Sequence, residues 1–505
     1  MIFNSIEFVV LFSILLAGYF FIPQKVKWVF LLIASYCFYG YGKIQSLLLL
    51  IIPTTIVYFI ALKIAPPLPL NPNETTGIAE KKNASTPDPR RKLLLLIGVF
   101  SALAGLIFFK YTDFFGQTLF SFIGLFVKDM TYKPLQLLVP IGLSFFSFKL
   151  ISYLVDVYNG NAPVERHPGY FALYVSFFPQ ILAGPIDRAV KFIPELKKHV
   201  TFDIERVLSG FRLIIWGIFK KIVIADRLAV FVNEVYQAPQ HQGLNLLFAA
   251  YFYAFQIYCD FSGYSDIAIG ISRILGFKSM ENFDFPYFST SLTQFWNRWH
   301  ISLSTWLRDY LFLPIAYAVM RPIKTPRLYK IKAETWGYVI GMFLTMFLGG
   351  LWHGASWTFV VWGSLHGLFL AVGYTTKKMR KKWAKTSGLT KFPRLRHVLS
   401  VMITFNLVSF AWIFFRAESF SKAFTIIKYM QFKPPEEGQG AVYLLFNLVL
   451  LLIFILMEIA YKNRESSTIL KRTPAYVKVA VYALFICFIL IFAVDSNNEF
   501  IYTQF

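Results

Sequence analysis

The chain has 505 residues, 56% of them apolar and only 15% charged. A soluble domain carries roughly 25% charged residues, and no polar stretch here is long enough to be one. The formal net charge of +23 invites nucleic acid, but the Lys and Arg residues sit in short loops between apolar runs, the pattern of membrane insertion, which argues against that class.

Apolar runs lie near 6–22, 28–41, 45–63, 93–110, 115–128, 135–157, 209–232, 244–276, 336–352, 355–374, 398–415, 441–460 and 474–494. They predict an all-α polytopic membrane protein, one membrane domain over 1–505, with about 11–13 crossings and re-entrant pieces where a run is too short or too long to cross simply. The start, Met1-Ile2-Phe3-Asn4, lacks a basic region, so 6–22 reads as a first span and not as a cleavable signal. Residues 65–92 read as a loop, because Ala65 to Pro89 is rich in Pro, Asn and Thr and has no apolar period. Basic clusters at Lys25 and Lys27, at Lys81 to Lys92, at Lys377 to Arg396 and at Lys462 to Arg472 place those loops in the cytoplasm. Counting spans from either end then puts the N-terminus outside, and also residues 495–505 beyond the last span. The three cysteines, Cys37, Cys259 and Cys487, lie far apart and imply neither a disulfide framework nor a metal set.

Between 167 and 320 the apolar runs are broken by Pro179, Pro185, Pro286 and Pro314. Broken backbone at membrane depth is tolerated where it is buried in protein or lines a wet cavity, so this stretch predicts a funnel or tunnel. In Ala183-Gly184-Pro185-Ile186-Asp187-Arg188, the arginine could meet an anionic donor or could simply snorkel. Gln256 and the run Asp260-Phe261-Ser262-Gly263-Tyr264-Ser265-Asp266 put polar groups and two carboxylates inside an apolar segment, where charge is expensive. Asp260 and Ser262 could bind a polar acceptor or orient a histidine; equally, the carboxylates could pair with Arg298 or Arg308 to hold the fold.

Phe295-Trp296-Asn297-Arg298-Trp299-His300 follows. If helical, it gathers Trp296, Trp299 and His300 on one face and turns Asn297 and Arg298 elsewhere. His300 could line the donor entrance or orient substrate, or belong to an interfacial aromatic belt. The sharper candidate is His353, in Gly349-Gly350-Leu351-Trp352-His353-Gly354-Ala355-Ser356-Trp357 between two long apolar runs. A neutral imidazole there can take the proton of an attacking hydroxyl as acyl transfer begins, or bridge two spans by a hydrogen bond. His366 reads as structural. No His or carboxylate stands three or four residues after His353, so no metal site is read. There is no phosphate loop and no nucleophile elbow. Tyr502, in Phe500-Ile501-Tyr502-Thr503-Gln504-Phe505, is an interfacial anchor or a hydroxyl able to accept an acyl group covalently.

Taken in order, Phe178 to Ile186, Asp260 to Asp266, Asn282 to Tyr287, Phe295 to His300 and Gly349 to Ala355 resemble the motifs of the membrane-bound O-acyltransferase superfamily, and within it the bacterial alginate and peptidoglycan O-acetylation branch. The resemblance implies a ring of spans around a thinned centre with a funnel and a tunnel. It implies that His353 is catalytic and His300 important beside it; Asn297, Arg298, Trp299, Gln256, Asp260, Ser262, Trp352 and Arg188 are read as candidates to line the substrate path. It further implies acetyl-CoA as donor, without a metal, an exported or cell-surface polysaccharide as destination, the bacterial inner membrane as location, and an extracytoplasmic SGNH-type acetyltransferase as partner. The ending is similar to the aromatic tail of a small companion protein in teichoic-acid D-alanylation, which implies an acyl relay at Tyr502. A D-alanyl transferase fed by an acyl carrier protein stays open, and so does, from another class, a transporter.

Overall fold

The computed structural model describes residues 3, 5–66, 88–127, 130–239, 243–323, 325, 327–329, 331–431, 433, 441–462, 474–493 and 500–501. Helices account for nearly all of its regular structure, as lipid requires of a chain that must satisfy its backbone internally. The exception is a two-residue antiparallel pair, Arg327–Leu328 with Ile331–Lys332, which closes a basic turn.

Among the described residues six helices are long and apolar enough to cross a membrane: Ser46–Ile64, Pro89–Ile123, Ala333–His353, Trp357–Thr375, Pro393–Arg416 and Val442–Ala460. Two shorter apolar helices are Ile6–Tyr19 and Val479–Phe492. Several other apolar runs of the sequence are helical without meeting that standard, for identifiable reasons. Gln24–Gly40 and Leu143–Tyr158 have 17 and 16 residues. The run 209–232 is interrupted by a π-helical stretch, Phe219–Ala225. Asn245–Ile274 is a 30-residue helix that carries Asp260, Asp266 and Arg273. The runs 93–110 and 115–128 are not separate: Pro89–Ile123 is one 35-residue helix, and the polar residues between the runs enter it through a π-helical turn at Ile107–Tyr111.

The chain divides into two compact units, one built chiefly from Met1–Phe211 with Ala268–Met280, the other from Arg212–Ile267 with Glu281–Gln504. In the first, the expected backbone breaks are present: helix Pro168–Ser176 ends at Phe177, a four-residue turn of helix Phe178–Ile181 follows, and Ala189–Lys197 begins only after Gly184-Pro185. A buried polar network replaces the missing helical bonds. Lys149 donates to the Tyr174 carbonyl (3.0 Å) and to Gln180 Oε1 (2.8 Å), and the Gln180 amide donates to Asp187 Oδ2 (2.7 Å) and Ser279 Oγ (2.8 Å). The Met280 amide closes the set on Asp187 Oδ1 at 3.1 Å. Buried polar groups bonded to one another in this way hold broken backbone in one arrangement.

The second unit contains the helical hairpin Ala333–His353 and Trp357–Thr375. Its two helices touch backbone to backbone. A Cβ on Gly350 would lie 2.3 Å from the Phe359 carbonyl oxygen, and one on Gly363 would lie 2.2 Å from that of Met346. Small residues that allow close approach are the usual means of joining helices in lipid, where apolar burial gives little drive. A second contact of this kind joins Ile204–Ile218 to Asn245–Ile274, since a Cβ on Gly217 would lie 2.5 Å from the Gly263 carbonyl oxygen.

Candidate active site

His353 is the last residue of its helix. Gly354 leaves the helix in an extended conformation, and Ser356 starts the next one, its hydroxyl accepting the Thr358 amide at 3.4 Å. Gly354 itself is required, because a Cβ there would meet the Phe359 ring at 2.1 Å. His353 is therefore fixed at the closed end of a tight hairpin. It is 3% exposed and ringed by Trp352, Trp362 and Phe415, with ring centroids at 4.8, 5.0 and 5.4 Å. Such a wall excludes bulk water from a base and leaves its charge state to its immediate partners.

His300 is set differently. The helix expected through it stops at Trp296; His300 has φ +43°, in the left-handed region, and precedes the next helix, Ile301–Leu307. A non-glycine residue held there marks a strained position that its surroundings impose. The cause is the paired backbone of 282–284: Ile301 donates to the Asn282 carbonyl at 2.9 Å and Asp284 to the Arg298 carbonyl at 3.0 Å. Asn282 is also the side-chain partner. Its Oδ1 lies 3.1 Å from His300 Nδ1 and accepts the Ser302 amide (3.2 Å) and hydroxyl (2.9 Å), while its Nδ2 donates to Ser265 Oγ (3.1 Å). With Oδ1 accepting throughout, Nδ1 of His300 carries the proton and Nε2 presents the lone pair.

The two histidines share one aromatic framework. From His353 it runs through Trp362, Trp412 and Trp299, with successive centroids at 5.0, 5.4 and 5.2 Å. Phe283 continues it, 5.1 Å from Trp299 and 6.5 Å from His300. His366 joins the same framework, accepting the Trp296 indole N–H at Nδ1 (3.3 Å), so its Nε2 carries the proton; among the described residues neither that Nε2 nor the Trp362 and Trp412 indole nitrogens find an acceptor. Gln256 is buried, and its Oε1 has no donor among the described residues. Trp352 is buried against His353. Asn297 is exposed, and Arg298 is half-buried 3.8 Å from Asp284. Arg188, half-buried ahead of helix Ala189–Lys197, belongs to the first unit. Tyr502 lies outside the described residues. Among the described residues no three His, Cys, Asp or Glu side chains gather as a metal ion would need.

The ion partners in the second unit are lysines that the sequence reading passed over. Lys221 binds Asp260 (2.7 Å) and Asp226 (2.9 Å), and Lys220 binds Asp266 (2.6 Å) and the Ser262 hydroxyl (2.9 Å). Their signal was two adjacent cations inside an apolar run, a pattern that requires buried carboxylates nearby. Asn282 was visible only as part of a motif; a polar residue 18 positions before His300 has no spacing that announces a contact.

Residues 162–416, half of the chain, match the sequence profile described as MBOAT, membrane-bound O-acyltransferase family. The chain belongs to this family. Across 85% of its length this membrane-bound O-acyltransferase is 35% identical to the probable alginate O-acetylase AlgI of Pseudomonas aeruginosa, of which 75% is covered. It is 32% identical to the peptidoglycan O-acetyltransferase of Helicobacter pylori, over 82% of this chain and 76% of that one. It is 31% identical to the teichoic acid D-alanyltransferase of Bacillus subtilis, over 57% and 71%. The matched residues of the acyltransferase hold His300, His353, Asn282 and the whole aromatic framework, and they end at Arg416, where helix Pro393–Arg416 ends.

Proposed function

We propose that this acyltransferase takes acetyl from cytoplasmic acetyl-CoA and delivers it across the bacterial cytoplasmic membrane for O-acetylation of an exported or cell-surface polysaccharide. His353 is the general base. It removes the proton of the acceptor hydroxyl as that oxygen attacks the thioester carbonyl; the new C–O bond forms, the C–S bond breaks, and the proton passes from the imidazolium to the departing thiolate. His300, with Nδ1 held by Asn282, offers Nε2 toward the same chemistry and orients the reactants. The observation that carries this reading is His353 immobilised at the glycine-packed end of a hairpin and walled by three aromatic rings.

Tyr502 is the proposed first acceptor, forming a phenyl ester that an extracytoplasmic SGNH-type acetyltransferase then passes to the glycan. In this arrangement only the thioester end of the donor needs to reach the centre of the membrane, and the charged nucleotide stays in the cytoplasm. In this reading both termini lie outside and the basic loops inside, which the distribution of Lys and Arg supports. The match to a D-alanyltransferase supports a second reading, D-alanyl transfer from a carrier protein.

The test is glycan O-acetylation in cells carrying His353→Ala at matched protein abundance. Removing a general base lowers the rate by about 10²–10⁴-fold, and wild-type acetylation in that variant removes the mechanism. Binding of labelled acetyl-CoA to the purified protein separates the acetyl reading from D-alanyl transfer and from transport.

A further inference from the structure

We infer that the buried ion pair Lys221–Asp260 is a seat for the segment that follows the last helix, and that Asp260 is a positioning residue for that segment. Helix Ala475–Phe492 ends where the Arg227 guanidinium donates to the Phe492 carbonyl at 2.8 Å. Eight residues later the chain is back inside the protein: Phe500 is 1% exposed. It lies against Asp260, the sixteenth residue of the 30-residue helix Asn245–Ile274, and so about 22 Å from either end of that helix at 1.5 Å per residue. This is the middle of a helix, not its surface end.

Three contacts make the seat. The Ile501 amide donates to Asp260 Oδ2 at 2.9 Å, while Oδ1 of the same carboxylate accepts from Lys221 at 2.7 Å. The Lys221 ammonium lies 4.7 Å from the centroid of the Phe500 ring. Tyr264, one helical turn beyond Asp260, meets that ring edge-on at 5.0 Å. The carboxylate thus divides its two oxygens between the lysine and the arriving peptide. A buried carboxylate oxygen deprived of its donor is strongly unfavourable, so the seat favours an occupied state. The ring supplies what an aliphatic side chain cannot, a face for the ammonium. Lys221 is held in turn by Asp226, and Lys220 by Asp266 and Ser262, so the seat is rigid before the peptide arrives.

The value of this seat to acyl transfer rests on the proposal that Tyr502, next in sequence after Ile501, carries the acyl group; the seat itself does not. The full-length protein in native membranes, with the photo-crosslinking residue p-benzoyl-phenylalanine at the half-exposed position 501, tests it. Mass spectrometry of the crosslinked peptides is expected to find residues 219–226 or 258–266. Asn in place of Asp260 puts an amide NH2, which cannot accept, where one carboxylate oxygen stood, facing either Lys221 or the Ile501 amide, so Asp260→Asn lowers the yield by about fivefold or more. Phe500→Leu, which leaves every buried charge untouched, also lowers it by about fivefold, and Phe500→Trp restores it. Crosslinks to other segments, or a Phe500→Leu yield equal to wild type, overturn the inference; Phe500→Leu decides alone if Asp260→Asn fails to accumulate. Tyr502→Phe separates the two claims: unchanged crosslinking with full acetyl transfer removes the relay and leaves the seat standing.

Discussion

Asn282 does for His300 what a carboxylate does in many histidine sites, but without charge. Its oxygen accepts three hydrogen bonds, one of them fixing the imidazole tautomer, while its nitrogen is spent on Ser265. Asn282→Leu should therefore leave His300 free to adopt the wrong tautomer and lower acyl transfer by about 10–100-fold, in the range of other tautomer-setting partners. Asn282→Asp keeps the acceptor and should retain most of the rate; equal losses in the two variants, measured at equal abundance, would argue for packing and not for tautomer control. His353 was legible in the sequence because an ionisable residue between two apolar runs stands out against its background. Asn282, Lys220 and Lys221 were harder to read, because the partners that give them meaning, His300, Asp266 and Asp260, lie 18 to 46 residues away and sequence spacing does not announce such pairing. For the carboxylates Asp260 and Asp266 the sequence left acceptor binding, histidine orientation and pairing with Arg298 or Arg308 open; the cations they meet are Lys221 and Lys220.

At the level of whole helices, the hairpin that presents His353 has no slack. Gly363→Ala puts a methyl group 2.2 Å from the Met346 carbonyl oxygen and 2.9 Å from Gly350 Cα, so the two helices must separate. Overpacking of this kind typically costs about 1–3 kcal/mol. The variant should lose activity beyond its loss of abundance, since His353 moves with its helix. Gly373→Ala, at the far end of the same helix, meets only the flexible Arg380 guanidinium at 4.0 Å and should be tolerated in both assays. The runs 336–352 and 355–374 foretold these two helices within a few residues because a Gly-Ala-Ser break separates them. The runs 93–110 and 115–128 misled for the opposite reason. Lys110, Tyr111, Thr112 and Asp113 look like a loop, yet the helix passes through them with a wider turn.

For the molecule as a whole, the proposed orientation is tested best at the basic helix Lys377–Thr386. It directly follows the span Trp357–Thr375 and exposes Met379 and Trp383 beside its lysines, as an interfacial helix on an anionic membrane surface does. In a chain with Cys37, Cys259 and Cys487 replaced by Ser, a cysteine introduced at Ser387 should react with a membrane-impermeant maleimide only after the cells are opened. Labelling in intact cells would invert the topology and, with it, the side on which the acyl donor enters.

The π-helical stretch Phe219–Ala225 has a consequence of its own for how this chain tolerates changes in length. The Asp226 amide bonds to the Lys221 carbonyl, and the two side chains meet although they are five positions apart. In an ordinary α-helix that spacing points them about 140° apart, at 3.6 residues per turn. The stretch behaves as a helix with one surplus residue. Excising the half-exposed Ile222 should wind it back to regular pitch, leave both flanks facing as before and yield protein at near-normal abundance. Excising Ile215, in the regular helix Ile204–Ile218, should instead swing everything beyond it by about 100° and abolish accumulation. Only one of these two omissions is a shortening the protein can absorb.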